Sequence, residues 1–165
     1  MVEHLWTPWR FQYITGVDKN PDLCVFCEAL KRNADEEMLI VYRGRKNFLI
    51  LNLYPYTTGH MMIVPYRHIP LLSNAQEEEL HEMMGLAKQC QMALAEVYQP
   101  QGFNLGINLG RCAGAGVADH LHMHVLPRWA GDTNFMSVIG EARVIPEDLN
   151  TTYNKLRPYF EKYKP

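Results

Sequence analysis

No apolar run in this 165-residue chain approaches the roughly 20 residues needed to span a bilayer. Its start, Met1-Val2-Glu3-His4-Leu5-Trp6, lacks the basic residues and long apolar stretch of a signal peptide. The expected compartment is the cytoplasm, with no membrane partner. Positive charge is not in excess either: 16 Lys and Arg stand against 18 Asp and Glu, a net charge of -2 with a pI near 6.4. A dedicated nucleic-acid binder would carry a basic stripe, so any nucleotide partner is expected to be a small molecule. Cysteine is scarce, at four residues. In a reducing compartment the pair in Cys24-Val25-Phe26-Cys27 reads as half a metal site rather than a disulfide, and Cys90 and Cys112 as free thiols. No internal repeat, low-complexity block or linker interrupts the chain, and its length suits one domain spanning residues 1–165.

What is present is ordinary globular composition, 47% hydrophobic and 21% charged. Residues 1–22 hold Trp6, Trp9 and Tyr13 without sustained periodicity and read as an extended arm pinned by its aromatics. Cys24 to Arg32 reads as a metal turn running into a short helix. Leu39 to Arg43 and Asn47 to Leu51 are β-prone runs around Gly44, a hairpin pattern although Gly44-Arg45 is not among the strongest turn pairs. After the loop Asn52-Leu53-Tyr54-Pro55-Tyr56-Thr57-Thr58-Gly59, His60 to Pro65 forms a third strand, ending at a residue with no N–H for a ladder.

A long helix is expected from Asn74 to Tyr98. Ser73 followed by Gln76 fits a capping box, and Glu77, Glu78 and Glu79 suit the positive first turns. Leu80, Met83, Met84, Ala87, Cys90, Leu94 and Val97 recur at helical spacing as one buried stripe, with His81 off it in solvent. Phe103 to Leu109 alternates as a fourth strand, with Phe103, Leu105, Ile107 and Leu109 on one side and Asn104 and Asn108 on the other. Residues 146–163 make a last helix. These elements imply an α+β fold: a five-stranded, mostly antiparallel sheet carrying one long helix and a C-terminal helix.

The fifth strand carries the chemistry. In Asp119-His120-Leu121-His122-Met123-His124-Val125-Leu126-Pro127, three of the chain's seven histidines alternate with apolar residues. In a strand, side chains two apart share a face, so His120, His122 and His124 would point one way and Leu121, Met123 and Val125 into the core. An exposed neutral imidazole can attack phosphorus and form a covalent intermediate. The preceding run Gly110-Arg111-Cys112-Ala113-Gly114-Ala115-Gly116 could hold phosphate oxygens on backbone N–H groups. A three-histidine metal site is the competing reading, since imidazole is a common zinc ligand and alternating residues can supply the geometry.

The segment His120 to Pro127 resembles the signature of the histidine triad nucleotide-binding proteins. Asn52, Gly59-His60, Pro65, His68 and Asn108 occur in the order and near the spacing of that family. Leu5-Trp6-Thr7-Pro8, Leu51-Asn52-Leu53-Tyr54-Pro55-Tyr56 and Pro127-Arg128-Trp129 resemble its branch of bacterial diadenosine tetraphosphate phosphorylases or hydrolases. The resemblance implies a homodimer whose two sheets join and an enzyme that cleaves a dinucleoside polyphosphate at an α-phosphate. His122 would be the nucleophile, His124 would bond a phosphate oxygen, and His120 would steady the nucleophile or serve a metal. Asn52 would bond the ribose, while His60, Asn108 and the backbone of Gly114, Ala115 and Gly116 would line the phosphate pocket. In some members an early cysteine pair joins two histidines around a structural zinc, here Cys24, Cys27, His68 and His120, which would leave only His122 and His124 for catalysis. No organic cofactor is implied. Residues 114–119 read Gly-Ala-Gly-Val-Ala-Asp, without the Gln and the Ser or Thr that many members place there to help the leaving group. A nucleoside phosphoramidate hydrolase, a zinc hydrolase and a non-catalytic nucleotide-binding or interaction protein are the alternatives.

Overall fold

The two β-prone runs around Gly44 do pair, and a helix supplies what the turn sequence lacks. In the computed structural model, which describes residues 24–132 and 145–162, β1 (Ile40–Arg43) and β2 (Asn47–Leu51) form an antiparallel hairpin with a bulge between Ile40 and Tyr42. The Glu82 carboxylate accepts the backbone N–H groups of Arg45, Lys46 and Asn47 at 2.8, 2.7 and 2.7 Å. A Cβ on Gly44 would stand 2.7 Å from the Asn47 carbonyl and 3.0 Å from Glu82 Oε1, so this approach requires glycine. Burial alone would raise the Glu82 pKa, but those N–H groups and the Asn47 amide pull it below the usual carboxylate range.

β3 (Met61–Pro65) pairs antiparallel with β2, and β5 (Met123–Arg128) lies between β3 and β4 (Gly102–Ile107). The order β1-β2-β3-β5-β4 makes the sheet five-stranded and antiparallel throughout. Among the described residues three α-helices accompany it: α1 (Val25–Arg32), α2 (Glu77–Tyr98) and α3 (Leu149–Lys162). Alternation along the strands divides the apolar residues between two faces. Leu49, Leu51, Met61, Ile63, Leu121, Met123 and Val125 pack under α2 and α3 with Leu86, Leu94, Leu156 and Phe160. Phe48, Ile50, Met62 and Val64 pack on the other face with Phe26 and Ala29 of α1.

Several details differ from the sequence expectation. The long helix starts at Glu77, not Asn74, because Leu72–Asn74 is a separate 3-10 turn. The cap is Gln76, whose N–H is accepted by Glu79 at 2.7 Å, and the Arg67 guanidinium closes on the same buried carboxylate at 2.6 Å. On α2, Met84 is 59% exposed while Leu86 and Ala93 are buried, so the stripe runs through Met83, Leu86, Ala87, Cys90, Ala93 and Leu94. The expected stripe included both methionines, but adjacent helical residues diverge by about 100° and packing on the sheet buries only Met83. β4 is an edge strand ending at Ile107 rather than Leu109, and Leu105 and Leu109 are exposed. β5 begins only at Met123, so His120 and His122 lie in an extended approach to the strand. The proposed arm of residues 1–22, most of the loop after Gly131 and the last residue of the expected C-terminal helix lie outside the described residues.

Replacing Glu82 strands three backbone donors at the hairpin turn. Glu82→Ala is expected to cost about 2–3 kcal/mol of stability, the range for hydrogen bonds to a charged acceptor, read from urea midpoints. A loss under about 0.5 kcal/mol would show that water replaces the carboxylate without cost.

Candidate active site and metal centre

The extended segment entering β5 is held at its start by the Leu121 N–H, which donates to Ile69 O at 2.6 Å. Leu121 is buried in the helix-side core, so the flanking side chains turn to the opposite face, where Phe26 lies. All three histidines follow the expected alternation, but none is exposed: His120, His122 and His124 retain 1%, 4% and 8% of their surface. The expectation of a solvent-facing reactive strand is corrected accordingly. Phe26 closes over them, its ring centroid 5.4 Å from His120 and 5.2 Å from His122.

A neutral imidazole carries one proton on two nitrogens, so a partner on one nitrogen decides the state of the other. His122 Nδ1 lies 2.8 Å from the His120 carbonyl. A carbonyl only accepts, so Nδ1 carries the proton and Nε2 keeps its lone pair. His120 Nε2 lies 2.9 Å from the Pro65 carbonyl, which leaves His120 Nδ1 as its lone-pair nitrogen. The third ring is set at one remove. The Tyr56 N–H donates to His60 Nδ1 at 3.1 Å, so His60 Nε2 carries the proton and donates to His124 Nδ1 at 2.9 Å. His124 Nε2 is then an N–H donor. Three similar side chains thus become a lone-pair base or nucleophile, an N–H donor and a metal-type ligand. Burial, and for His124 also the neighbouring His122, holds both rings below the ordinary histidine pKa, His124 at about 4. Both are neutral at pH 7.

Around them, Asn52 follows β2 directly. Its Oδ1 accepts the Tyr54 N–H at 3.0 Å and its Nδ2 reaches His60 Nδ1 at 3.3 Å. It therefore braces the loop and the histidine relay as a turn residue does. Gly106 pairs with His124 and Ile107 with Met123, and Asn108 follows directly after this last pair of the ladder. The glycine segment closes on itself: the Ala113 and Ala115 N–H groups donate to Gly110 O at 3.2 and 3.3 Å, and Gly114 N–H to Arg111 O at 2.9 Å. Gly110 and Gly114 supply the positive φ values of 84° and 90° that the turn needs. Ala115 is buried and its N–H is engaged inside the loop rather than aimed outward. A phosphate site built on that amide is not preformed.

Cys24, Cys27, His68 and His120 come together, with one donor atom from each lying within 4.8 Å of all the others. Cys24 Sγ and Cys27 Sγ lie 3.2 and 3.7 Å from His120 Nδ1, and Cys27 Sγ lies 3.4 Å from His68 Nδ1. A tetrahedral zinc with sulfur at about 2.3 Å and nitrogen at about 2.0–2.1 Å sets sulfur and nitrogen about 3.5 Å apart. The donor set fits that ion, and the Pro65 carbonyl fixes the tautomer that presents His120 Nδ1. These are the residues expected from the resemblance, drawn from α1, the segment after β3 and the segment before β5. Phe26 and Tyr56 were not expected. Phe26 stands between the two cysteines, so whatever fixes that pair also fixes a residue between them. Nothing in the local pattern marks Tyr56.

The geometry has counterparts. The HIT domain family model matches residues 33–131. A protein of Mycobacterium tuberculosis (strain CDC 1551 / Oshkosh) named AP-4-A phosphorylase is 41% identical over 158 residues, covering 92% of this chain and 80% of its own length. A bis(5'-nucleosyl)-tetraphosphatase (asymmetrical) of Schizosaccharomyces pombe is 30% identical over 93 residues, 56% of this chain and 50% of its own. The crystal structure of a zinc-bound histidine triad family protein from Mycobacterium smegmatis superposes with a TM-score of 0.68 at 26% identity, covering 84% of this chain and 94% of that one.

Burial of His124 has a thermodynamic signature. Its folded pKa of about 4 lies below the ordinary value of 6.5, so the unfolded chain takes up the proton first as pH falls. The contribution is fully present above about pH 6.5 and is lost progressively toward pH 4, on the order of 3 kcal/mol over the whole window. His124→Gln is expected to flatten the fall in stability between pH 7.5 and 4.5 by roughly 2–3 kcal/mol relative to wild type, measured by urea unfolding at each pH. Equal slopes in the two proteins would contradict a neutral buried ring.

Proposed function

Because the chain belongs to the HIT domain family, we propose that it is an enzyme that cleaves a dinucleoside polyphosphate such as diadenosine tetraphosphate at an α-phosphate through a covalent nucleotidyl-His122. The observation that carries this reading is the hydrogen bond from His122 Nδ1 to the His120 carbonyl. It leaves Nε2 with a lone pair in a ring kept neutral by burial. The names of two relatives, AP-4-A phosphorylase and bis(5'-nucleosyl)-tetraphosphatase, support the substrate class.

In the first step His122 Nε2 attacks the α-phosphorus, and the P–O bond to the bridging oxygen breaks. The remaining nucleoside polyphosphate leaves with that electron pair. In the second step an acceptor oxygen attacks the same phosphorus, the P–N bond breaks, and the lone pair returns to Nε2. The acceptor's proton leaves with the product or solvent. Water as acceptor gives AMP and ATP from diadenosine tetraphosphate, and inorganic phosphate gives ADP and ATP. His124 Nε2–H donates to a nonbridging oxygen as charge builds there, an electrostatic contribution that needs no proton transfer. Asn52 orients the ribose, and His60, Asn108 and residues 114–116 border the phosphates. The Ala115 amide would have to leave Gly110 O to join them, which makes that loop the adaptable part of the pocket.

The Cys24, Cys27, His68 and His120 cluster holds a structural zinc in this reading. All four tetrahedral positions are filled by protein, leaving none for water or substrate. The zinc-bound structural neighbour supports the assignment. The chain acts as one HIT-like domain and pairs as a homodimer through the β4 edge, where Leu105 and Leu109 are exposed. Among the described residues no helix is long and apolar enough to cross a membrane.

Incubation of the protein with diadenosine tetraphosphate, with and without inorganic phosphate, is expected to yield ATP with ADP or AMP according to the acceptor. His122→Ala is expected to lose about a thousandfold or more in rate while keeping nucleotide affinity within about tenfold. A folded wild-type protein that yields no product in either arm would sink the reading.

Metal analysis is expected to find one zinc per chain in the wild type and none in Cys27→Ser. The variant is expected to melt lower by about 5 °C or more, as loss of a structural ion implies. Full zinc occupancy in Cys27→Ser would remove the cysteine pair from the site.

A further inference from the structure

Tyr56 touches the histidine relay in two independent ways, and only one of them is a hydrogen bond. Its backbone N–H fixes the tautomer of His60. Its ring lies over both members of the relay, 5.0 Å from the His60 ring and 6.1 Å from the His124 ring, stacked on the latter with the planes 29° apart. His60 and His124 are 1% and 8% exposed, whereas Tyr56 is 37% exposed. The tyrosine is thus the layer between solvent and the His60–His124 hydrogen bond.

The loop that carries it is held at both ends. The Asn52 N–H donates to the His60 carbonyl at 3.0 Å, the His60 N–H to Thr57 O at 3.2 Å, and Asn52 Oδ1 accepts the Tyr54 N–H. Pro55 fixes the preceding φ. Gly59, at φ +78°, seats the loop so closely on α2 that a Cβ there would stand 2.8 Å from Leu94 Cδ2. The ring is therefore presented by a rigid turn.

We propose that Tyr56 is a positioning residue for the reaction, its ring face holding His124 in the plane and tautomer that aim Nε2–H at the substrate phosphate. A histidine ring has one soft torsion once its backbone is set, and a half-turn about it exchanges Nδ1 with the Cδ2 edge, breaking the bond from His60. Stacking by Tyr56 together with the T-shaped contact of the His122 ring at 4.9 Å blocks that rotation. This role rests on the reading of His122 and His124 as the reacting pair.

The test uses Tyr56→Ala, which keeps the amide and removes the ring, beside Tyr56→Phe, which keeps both, and Tyr56→Leu, which keeps apolar bulk without a flat face. Tyr56→Ala is expected to lower kcat about tenfold or more with KM within about threefold, and Tyr56→Phe to return kcat to within about twofold of wild type. Nitrogen-15 spectra of the histidine rings in the free protein supply a readout that needs no turnover. Wild type and Tyr56→Phe are expected to show His124 as a single tautomer protonated at Nε2, and Tyr56→Ala a mixture of the two. The proposal is overturned if Tyr56→Ala leaves kcat and the His124 nitrogens unchanged, or if Tyr56→Leu restores both as fully as Tyr56→Phe. If the wild type turns over no dinucleotide, the functional reading fails, while the ring spectra still decide whether Tyr56 holds His124.

Discussion

A neutral imidazole has two nitrogens and one proton, and the whole site depends on which nitrogen each backbone partner claims. The carbonyls of His120 and Pro65 and the amide of Tyr56 make three choices, and these assign His122, His120 and, through His60, His124 to different work. None of the three rings needs a carboxylate to set its state. A carboxylate would favour the imidazolium, whereas backbone partners and burial keep the rings neutral, as a nitrogen nucleophile must be. Backbone partners are also fixed by the fold itself, so side-chain substitution elsewhere does not easily release them.

His120 couples the two centres. Its side chain faces Cys24 and Cys27 through Nδ1, and its own carbonyl holds the His122 proton. The cysteines flank Phe26, whose ring closes on both His120 and His122. A metal held there would thus organise the His122 ring twice, through the backbone of one ligand and through the residue between two others. With four protein ligands filling a tetrahedral site, such an ion would act on the His122 ring through structure and would have no open position for acid chemistry.

Much of this was visible in residue order, and the parts that were not share a cause. Strand-forming runs, the two major helices and the alternation of His with apolar residues follow from periodicity within one segment. The cysteine pair and His68 became a cluster only by analogy with a family, because a four-ligand site drawn from three separated segments has no local spacing. The hairpin turn was a weak pattern at Gly44-Arg45 since its acceptors come from Glu82 on a helix 36 residues beyond Lys46. The buried stripe of α2 was drawn too wide, since Met84 was placed in it beside Met83 and only the packing on the sheet separates them. Burial of the triad was missed for a related reason: alternation says which residues share a face, not whether Phe26 and the cysteine segment cover it.

The face not occupied by histidines explains how a site of buried polar rings persists at all. Leu121, Met123 and Val125 sit in the core beneath α2, and they belong to the same few residues of backbone that carry His120, His122 and His124. Burying three imidazoles costs stability unless each is paired, and here His120 and His122 pair with backbone carbonyls while His124 pairs with the His60 ring. The apolar alternates supply the burial that offsets the remaining cost. Because one backbone serves both faces, a shift that would misplace His122 Nε2 must also disturb the packing of Leu121 and Met123. Close-packed interiors resist such shifts. The position of His122 Nε2 is therefore held by the core, whereas the glycine segment is closed locally by the Ala113, Gly114 and Ala115 amides.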